Sequence, residues 1–304
     1  MRTVTVAATQ MPSLHDRERN IECACGLVRE AAERGAQVVL LQELFETDYF
    51  CQQANASAFE LALPVDENPA VRTLGKLARE LRLVIPVSIF ERSGQSCFNT
   101  LVLLGPDGSV MGSYRKSHIP DGPGYEEKFF FDPGDSGFKV WDTPYGRLGC
   151  GICWDQWFPE AARIMALMGA ELLLYPTAIG SEPLDPAYDS RPHWQTCMQG
   201  HAAANMVPLL ASNRVGTEHQ AAVPPAAAPP AAGSSITFYG SSFIADACGQ
   251  IVAQAPREGT AVITACFDLD ELWRRRRAWG LFRDRRPDLY AGLLARTPEG
   301  IRDV

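Results

Sequence analysis

The chain has 304 residues, 46% of them hydrophobic and 21% charged, which is ample for a large buried core and excludes both disorder and a disulfide scaffold. Its 28 basic residues are outnumbered by 36 acidic ones, a net charge of −8 that argues against a nucleic-acid surface and is compatible with a cationic substrate without selecting one. Nine cysteines scattered through apolar segments read as reduced thiols. With no leader in MRTVTVAATQ and no apolar run long enough for a membrane span, the expected location is cytoplasmic.

The elements begin with a strand over Thr3–Thr9 (TVTVAAT), a helix over Asp16–Arg34 and a continuous apolar strand over Gln37–Gln42. Asn68-Pro69 opens a helix to about Arg82, with the proline tolerated in its first turn. Strands Leu83–Phe90, Phe98–Leu104 and Val110–Tyr114 follow, the last two joined as a hairpin by the turn Gly105–Gly108. Next come strand Arg147–Cys153, helix Glu160–Met168, strand Glu171–Tyr175, a helix around Trp194–Asn205 and strand Leu209–Arg214. A hairpin of Ile236–Ala245 with Ile251–Ala255 and a final strand Ala261–Phe267 complete the core. The βαβ rhythm mixed with hairpins predicts an α/β fold in which layered sheets are enclosed by helices, over one domain spanning residues 1–304. The Ala/Pro tract Ala221–Ala232 reads as an exposed, mobile loop insertion (about 217–235), and 270–304 as a C-terminal tail.

The chemistry concentrates at strand ends. In Gly149–Glu160 (GCGICWDQWFPE) a strand runs to Cys153, a short turn follows and a helix opens at Pro159. Such a cysteine lies near helix-end N–H groups, which lower a thiol pKa and can hold an oxyanion. Without that context a free cysteine is more often simply buried. Cys150 and Cys153 form a C-x-x-C, but an offset of three along a strand points them to opposite faces, and no second pair supplies zinc ligands. Lys116 ends a hairpin strand, and Glu43 follows an apolar one, where its charge must be paired or neutralised. Taken singly, either could be an ion pair at a sheet rim. There is no G-x-S-x-G elbow, no Walker loop and no G-x-G-x-x-G.

The segments LLQELFE (Leu40–Glu46), YRKSHIPDGPGYEEKFFFDPGD (Tyr114–Asp135) and GICWDQWFPEAAR (Gly151–Arg163) together resemble the nitrilase superfamily of carbon–nitrogen hydrolases. NRVG (Asn213–Gly216), FYGSSFI (Phe238–Ile244) and RRPDLY (Arg285–Tyr290) extend the resemblance over nearly the whole chain, most closely to the N-carbamoylputrescine amidase branch. The resemblance implies a four-layer α-β-β-α sandwich, commonly paired through helices into homo-oligomers. It also implies Glu43 as general base, Lys116 as oxyanion-stabilising lysine, Cys153 as nucleophile and Glu127 as a second glutamate in the site, with Glu126 a solvated neighbour. No metal or organic cofactor is expected, and His118 reads as structural or supporting. The Ala/Pro tract departs from the branch without touching these motifs.

A ureido substrate with a distant ammonium calls for apolar walls and a terminal carboxylate. Glu182 is the first candidate for that carboxylate and Asp121 the second, while Tyr49, Tyr125 and Trp154 are candidate walls. Were Glu182 only a surface charge, a β-ureidopropionase-like or ω-amidase substrate would fit equally well. A silent scaffold of the same fold is disfavoured by the intact Glu43, Lys116, Cys153 and Glu127. The arginines of Trp273–Arg277, with Arg283, Arg285 and Arg286, are interleaved with Asp268, Asp270, Glu271, Asp284 and Asp288, which favours salt bridges on an intersubunit tail over nucleic acid.

Overall fold

A computed structural model describes residues 1–221 and 233–297 of the chain. Strand β1 (Thr3–Gln10), helix α1 (Arg17–Glu33), strand β2 (Val38–Leu40) and helix α2 (Pro69–Leu81) lead into the antiparallel run β3 (Ile85–Ser93), β4 (Ser96–Leu104) and β5 (Val110–Arg115). Then come β6 (Lys139–Thr143), β7 (Gly146–Cys150), α3 (Pro159–Leu167), β8 (Leu172–Thr177), α4 (Arg191–Asn205) and β9 (Leu209–Asn213). The chain continues through β10 (Val215–Gln220), β11 (Ser234–Tyr239), β12 (Phe243–Ala245), β13 (Ile251–Gln254), β14 (Ala261–Asp268) and α5 (Leu269–Trp279). Asp16 and Asn68 cap α1 and α2 by accepting the backbone N–H groups of Arg19 and Val71.

Among the described residues, twelve of the fourteen strands form two six-membered layers, and β10 pairs with β11 apart from them. One runs β14–β1–β2–β3–β4–β5, its halves joined by the parallel bridge Val38–Val84. The other runs β13–β12–β9–β8–β7–β6, with β7, β8 and β9 parallel at its centre. Strand alternation sorts the side chains into layers. Ala7 and Val39 face α1 and α2 in one core, whereas Val6, Ala8, Val38 and Leu40 meet Leu148, Leu172, Leu174 and Leu210 between the sheets. Leu173, Leu209 and Ala211 pack outward on Trp194 and Met198 of α4. The order helix, sheet, sheet, helix is the expected four-layer α-β-β-α sandwich.

Several expected boundaries move. The strand expected to reach Cys153 stops at Cys150, because the Asp155 carboxylate captures the Ile152 N–H at 2.9 Å and turns the chain out of the sheet. The opposite-faces argument for Cys150 and Cys153 therefore lapses, since the two do not share a strand. The apolar strand at Gln37–Gln42 shortens to Val38–Leu40. The expected strand Ile236–Ala245 is two strands in different sheets, broken where Gly240 and Ser241 both take positive φ (55° and 54°). The expected insertion begins and ends as a ladder, Val215–Gln220 pairing with Ser234–Tyr239, and residues 222–232 of the Ala/Pro tract lie outside the described residues. Strand β6 was not anticipated, and the C-terminal tail opens with α5. There, Arg274, Arg283 and Arg286 pair with Glu271, Asp284 and Asp288, while Arg276 donates to the carbonyls of Ala166 and Ala170.

Candidate active site

Glu43 follows β2, Lys116 follows β5 and Cys153 follows β7, so the paired sheets bring three carboxyl-end loops to one place, the usual position of a ligand site in α/β architectures. Lys116 Nζ donates to Glu43 Oε1 at 2.8 Å and to Glu127 Oε2 at 2.6 Å, and all three side chains are fully buried. Asn99, on β4, donates from Nδ2 to the same Glu43 Oε1 at 2.7 Å. The other oxygen, Glu43 Oε2, is buried without a hydrogen-bond partner among the described residues, leaving one lobe of the carboxylate held and one available for a proton. Glu127 is held from behind by the Tyr49 hydroxyl at 2.7 Å.

Burial works against the Lys116 ammonium, but the charges of Glu127 and Glu43 outweigh it and hold its pKa well above the ordinary lysine value. Burial raises Glu127 to about 7, the Lys116 charge opposing and that of Glu43 reinforcing the rise. Burial, then the Glu43 charge, pushes the Cys153 thiol well above its ordinary value, with Lys116 and a hydrogen bond from the Ala178 backbone pulling the other way. A thiol lowered by helix-end N–H groups, as the sequence suggested, is therefore not the resting state: α3 starts only at Pro159, and the Cys153 side chain is enclosed beside a carboxylate.

Cys153 opens a 3₁₀ turn, Cys153–Trp157, with φ +39°, an uphill conformation for a residue with a Cβ and one that clusters at functional sites. Asp155 pins that turn to the lysine-bearing segment. Its Oδ2 accepts the Ile152 N–H at 2.9 Å and the Tyr114 hydroxyl at 2.8 Å. Its Oδ1 accepts the His118 backbone N–H at 3.0 Å and faces His118 Nδ1 at 2.7 Å. His118 stacks on Phe158 with ring centroids 3.6 Å apart, a supporting position consistent with its expected structural role. Gly134 closes the lysine strand end: its N–H reaches the Lys116 carbonyl at 2.8 Å, and a Cβ there would lie 2.0 Å from the Arg115 carbonyl oxygen.

Above this cluster lies a cavity of about 480 Å³ whose lining includes Cys153, Trp154, Tyr125, Glu182 and Asp121. Asp185 joins these two acids, and neither lysine nor arginine is among the described residues of the wall. The Tyr125 hydroxyl donates to the Ser181 carbonyl and accepts from the Gly180 N–H, both at 3.1 Å, tying the wall to the loop that carries Glu182. Tyr49 is not on the wall. It is fully buried behind Glu127, because its ring packs on Phe238 and Tyr125 while its hydroxyl is needed by the carboxylate. Glu126 is half-buried and accepts the Ala54 N–H.

Sequence reading missed Asn99, Asp155 and Arg214. Asn99 interrupts an apolar strand (FNTLVLL), and an amide in such a place needs a buried partner, so a signal was present.

Residues 5–277 match the carbon–nitrogen hydrolase family. The chain is 53% identical to the N-carbamoylputrescine amidase of Arabidopsis thaliana, over 96% of each chain. It is 51% identical to the citrullinase of Francisella tularensis, over 95% of this chain and 98% of that one. The crystal structure of a carbon–nitrogen hydrolase from Helicobacter pylori superposes with a TM-score of 0.87 at 41% identity, covering 97% of this chain and 99% of that one. Among the described residues no helix is long and apolar enough to cross a membrane.

Proposed function

Since this chain belongs to the carbon–nitrogen hydrolase family, we propose that it is a cysteine-dependent amidohydrolase that converts N-carbamoylputrescine to putrescine, ammonia and carbon dioxide, a step of polyamine synthesis. The observation that carries the substrate is the charge of the cavity: Asp121, Glu182 and Asp185 lie on its wall with no lysine or arginine. A carboxylate-bearing substrate of the β-ureidopropionase or ω-amidase kind would meet like charge there, whereas the ammonium at the far end of carbamoylputrescine meets its complement. Glu182 is the acceptor for that ammonium, with Asp121 as the alternative, and Tyr125 and Trp154 flank the aliphatic chain.

Catalysis starts from a neutral thiol. Cys153 passes its proton to the free Oε2 of Glu43 as sulfur attacks the ureido carbon. The tetrahedral oxyanion is held by Lys116 Nζ and the Trp154 backbone N–H, a type of contact whose loss costs about 100- to 1,000-fold in rate. Glu43 returns the proton to the departing ammonia, leaving a carbamoyl group on sulfur. Water activated by Glu43 then releases the N-carboxylated amine, which loses carbon dioxide and leaves putrescine. Glu127, held by Tyr49, keeps Lys116 in place.

Citrulline is the second reading, favoured by the citrullinase relative. It shares the ureido group but adds a carboxylate for which the described wall offers no lysine or arginine. The test is ammonia release from N-carbamoylputrescine, citrulline and N-carbamoyl-β-alanine, with Cys153→Ala as blank. Turnover of the cationic substrate above the other two supports the proposal, and a preference for either carboxylate-bearing compound overturns the charge argument. The nine free thiols suit a reducing cytoplasm. The exposed Trp273, Trp279, Leu293 and Leu294 suit a homo-oligomer contact, which sedimentation would report.

A further inference from the structure

Arg214 lies between β9 and β10, far along the chain from the groups assigned to catalysis, yet its side chain is fully buried among them. Nη1 donates to the carbonyl oxygens of Glu43 at 2.9 Å and Leu44 at 3.0 Å, and Nη2 to that of Thr47 at 2.7 Å. Nε and Nη2 donate to Glu218 Oε1 and Oε2 at 2.9 and 3.0 Å. Those contacts use all five N–H groups of a guanidinium. The second oxygen of Glu218 also accepts the Tyr49 N–H at 2.6 Å, and Tyr49 in turn grips Glu127.

The segment held in this way is neither helix nor strand, so its carbonyls have no ladder to satisfy them. Three of them converge on the one guanidinium, that of Leu44 also accepting the Thr47 N–H at 3.2 Å. Leu44 sits at φ +49°, uphill for a side chain with a Cβ, and its N–H is taken by Ser88 Oγ at 3.1 Å. Arg214 holds the loop in that uphill conformation, and with it the backbone from which the Glu43 carboxylate projects. Arg214 is not among the residues lining the cavity.

We propose that Arg214 is a positioning residue for both carboxylates of the site: it aims Glu43 through three backbone carbonyls and places Glu127 through Glu218 and Tyr49. The inference rests on the reading of Glu43 as the base. A lysine keeps the charge at this position but offers three donors from one nitrogen in place of a planar fork of five, so it cannot span the carbonyls and Glu218 together.

The test is Arg214→Lys, with two readouts on protein whose folding is checked by circular dichroism. One is steady-state turnover of N-carbamoylputrescine. The other is the pH dependence of Cys153 alkylation by iodoacetamide, which needs no substrate. The expected result is a kcat lower by about 100-fold, the scale of a small misplacement of a catalytic group, with KM nearly unchanged and the alkylation profile moved to lower pH as the Glu43 charge turns away from the Cys153 thiol. A folded variant with wild-type kcat and an unchanged alkylation profile, differing only in melting temperature, would overturn the proposal. If Arg214→Lys does not fold, the double variant Arg214→Gln/Glu218→Gln removes both buried charges together and is held to the same two criteria. Glu43→Gln run in parallel separates the premises: undiminished activity there would remove the base assignment whatever Arg214 does.

Discussion

Glu127 makes a pH-dependent contribution to stability that replacement by glutamine should erase. Its carboxyl is fully enclosed, and burial lifts it from 4.5 to about 7 despite the Lys116 ammonium at 2.6 Å. The folded protein therefore binds a proton more tightly than the unfolded chain does between those two values. The stabilisation from that proton is complete below pH 4.5 and is lost as the pH rises through 7. The interval corresponds to about 3 kcal/mol, a large share of the ~5–15 kcal/mol that stabilises a typical domain. Glu127→Gln removes the titration while keeping the shape, and its amide can still meet both Lys116 and Tyr49, whose hydroxyl accepts as well as donates. Urea unfolding of the wild type and the variant at intervals from pH 5 to 8 measures the effect. The wild type should lose stability relative to the variant as the pH rises. Groups remote from Glu127 titrate identically in both proteins, so the difference between the curves reports Glu127 together with Lys116, Cys153 and Tyr49, which feel its charge directly. Parallel curves would refute the reasoning and mean that the Lys116 charge fully offsets the burial.

Three further outcomes follow from the same geometry. Glu43→Gln should lower kcat by about 100- to 10,000-fold, the range for a general base, with little change in melting temperature because Oε1 still accepts from Lys116 and Asn99; a retained kcat would leave Cys153 with another base. Asp155→Asn replaces a carboxylate that meets four donor groups by an amide that accepts on one side only, and each stranded donor costs about 1–3 kcal/mol. Differential scanning calorimetry should show a clear drop in melting temperature, and an unchanged value would mean that the turn and the lysine segment are not joined through this group. Glu182→Gln should raise KM for N-carbamoylputrescine roughly 10- to 100-fold, as expected for one charged hydrogen bond, and leave turnover of uncharged N-butylurea unaltered; equal effects on both would make Glu182 a loop residue only.

How much was legible in advance depended on whether a group's partner lay nearby in sequence or on a distant strand. Helices α1 and α2 and the hairpin β4–β5 carry caps and turn residues within their own segments, so their boundaries could be read almost to the residue. Cys153 and Lys116 stood out through local motif context. Asp155, by contrast, is one unremarkable acid in CWDQWFPE until its partners at residues 114–118 are brought to it by the folding of the sheets. Tyr49 read as a substrate wall from its aromatic type, and only three-dimensional packing shows it turned behind Glu127. The break at Gly240-Ser241 was concealed by continuous β-forming residues on either side of it.

Layers, reactive residue types and the chemistry they imply were all legible locally, because strand periodicity, helix caps and a cysteine-containing turn are written within short stretches of chain. Tertiary structure alone decided that the Cys153 thiol is pushed up and not down, that one oxygen of Glu43 is held while the other is free, and that Arg214 reaches back to the loop bearing that glutamate. The reason is the range of the forces involved. Backbone propensity acts between neighbours in sequence, whereas desolvation and hydrogen bonding of a buried charge depend on everything packed around it, and here that surrounding comes from both sheets at once.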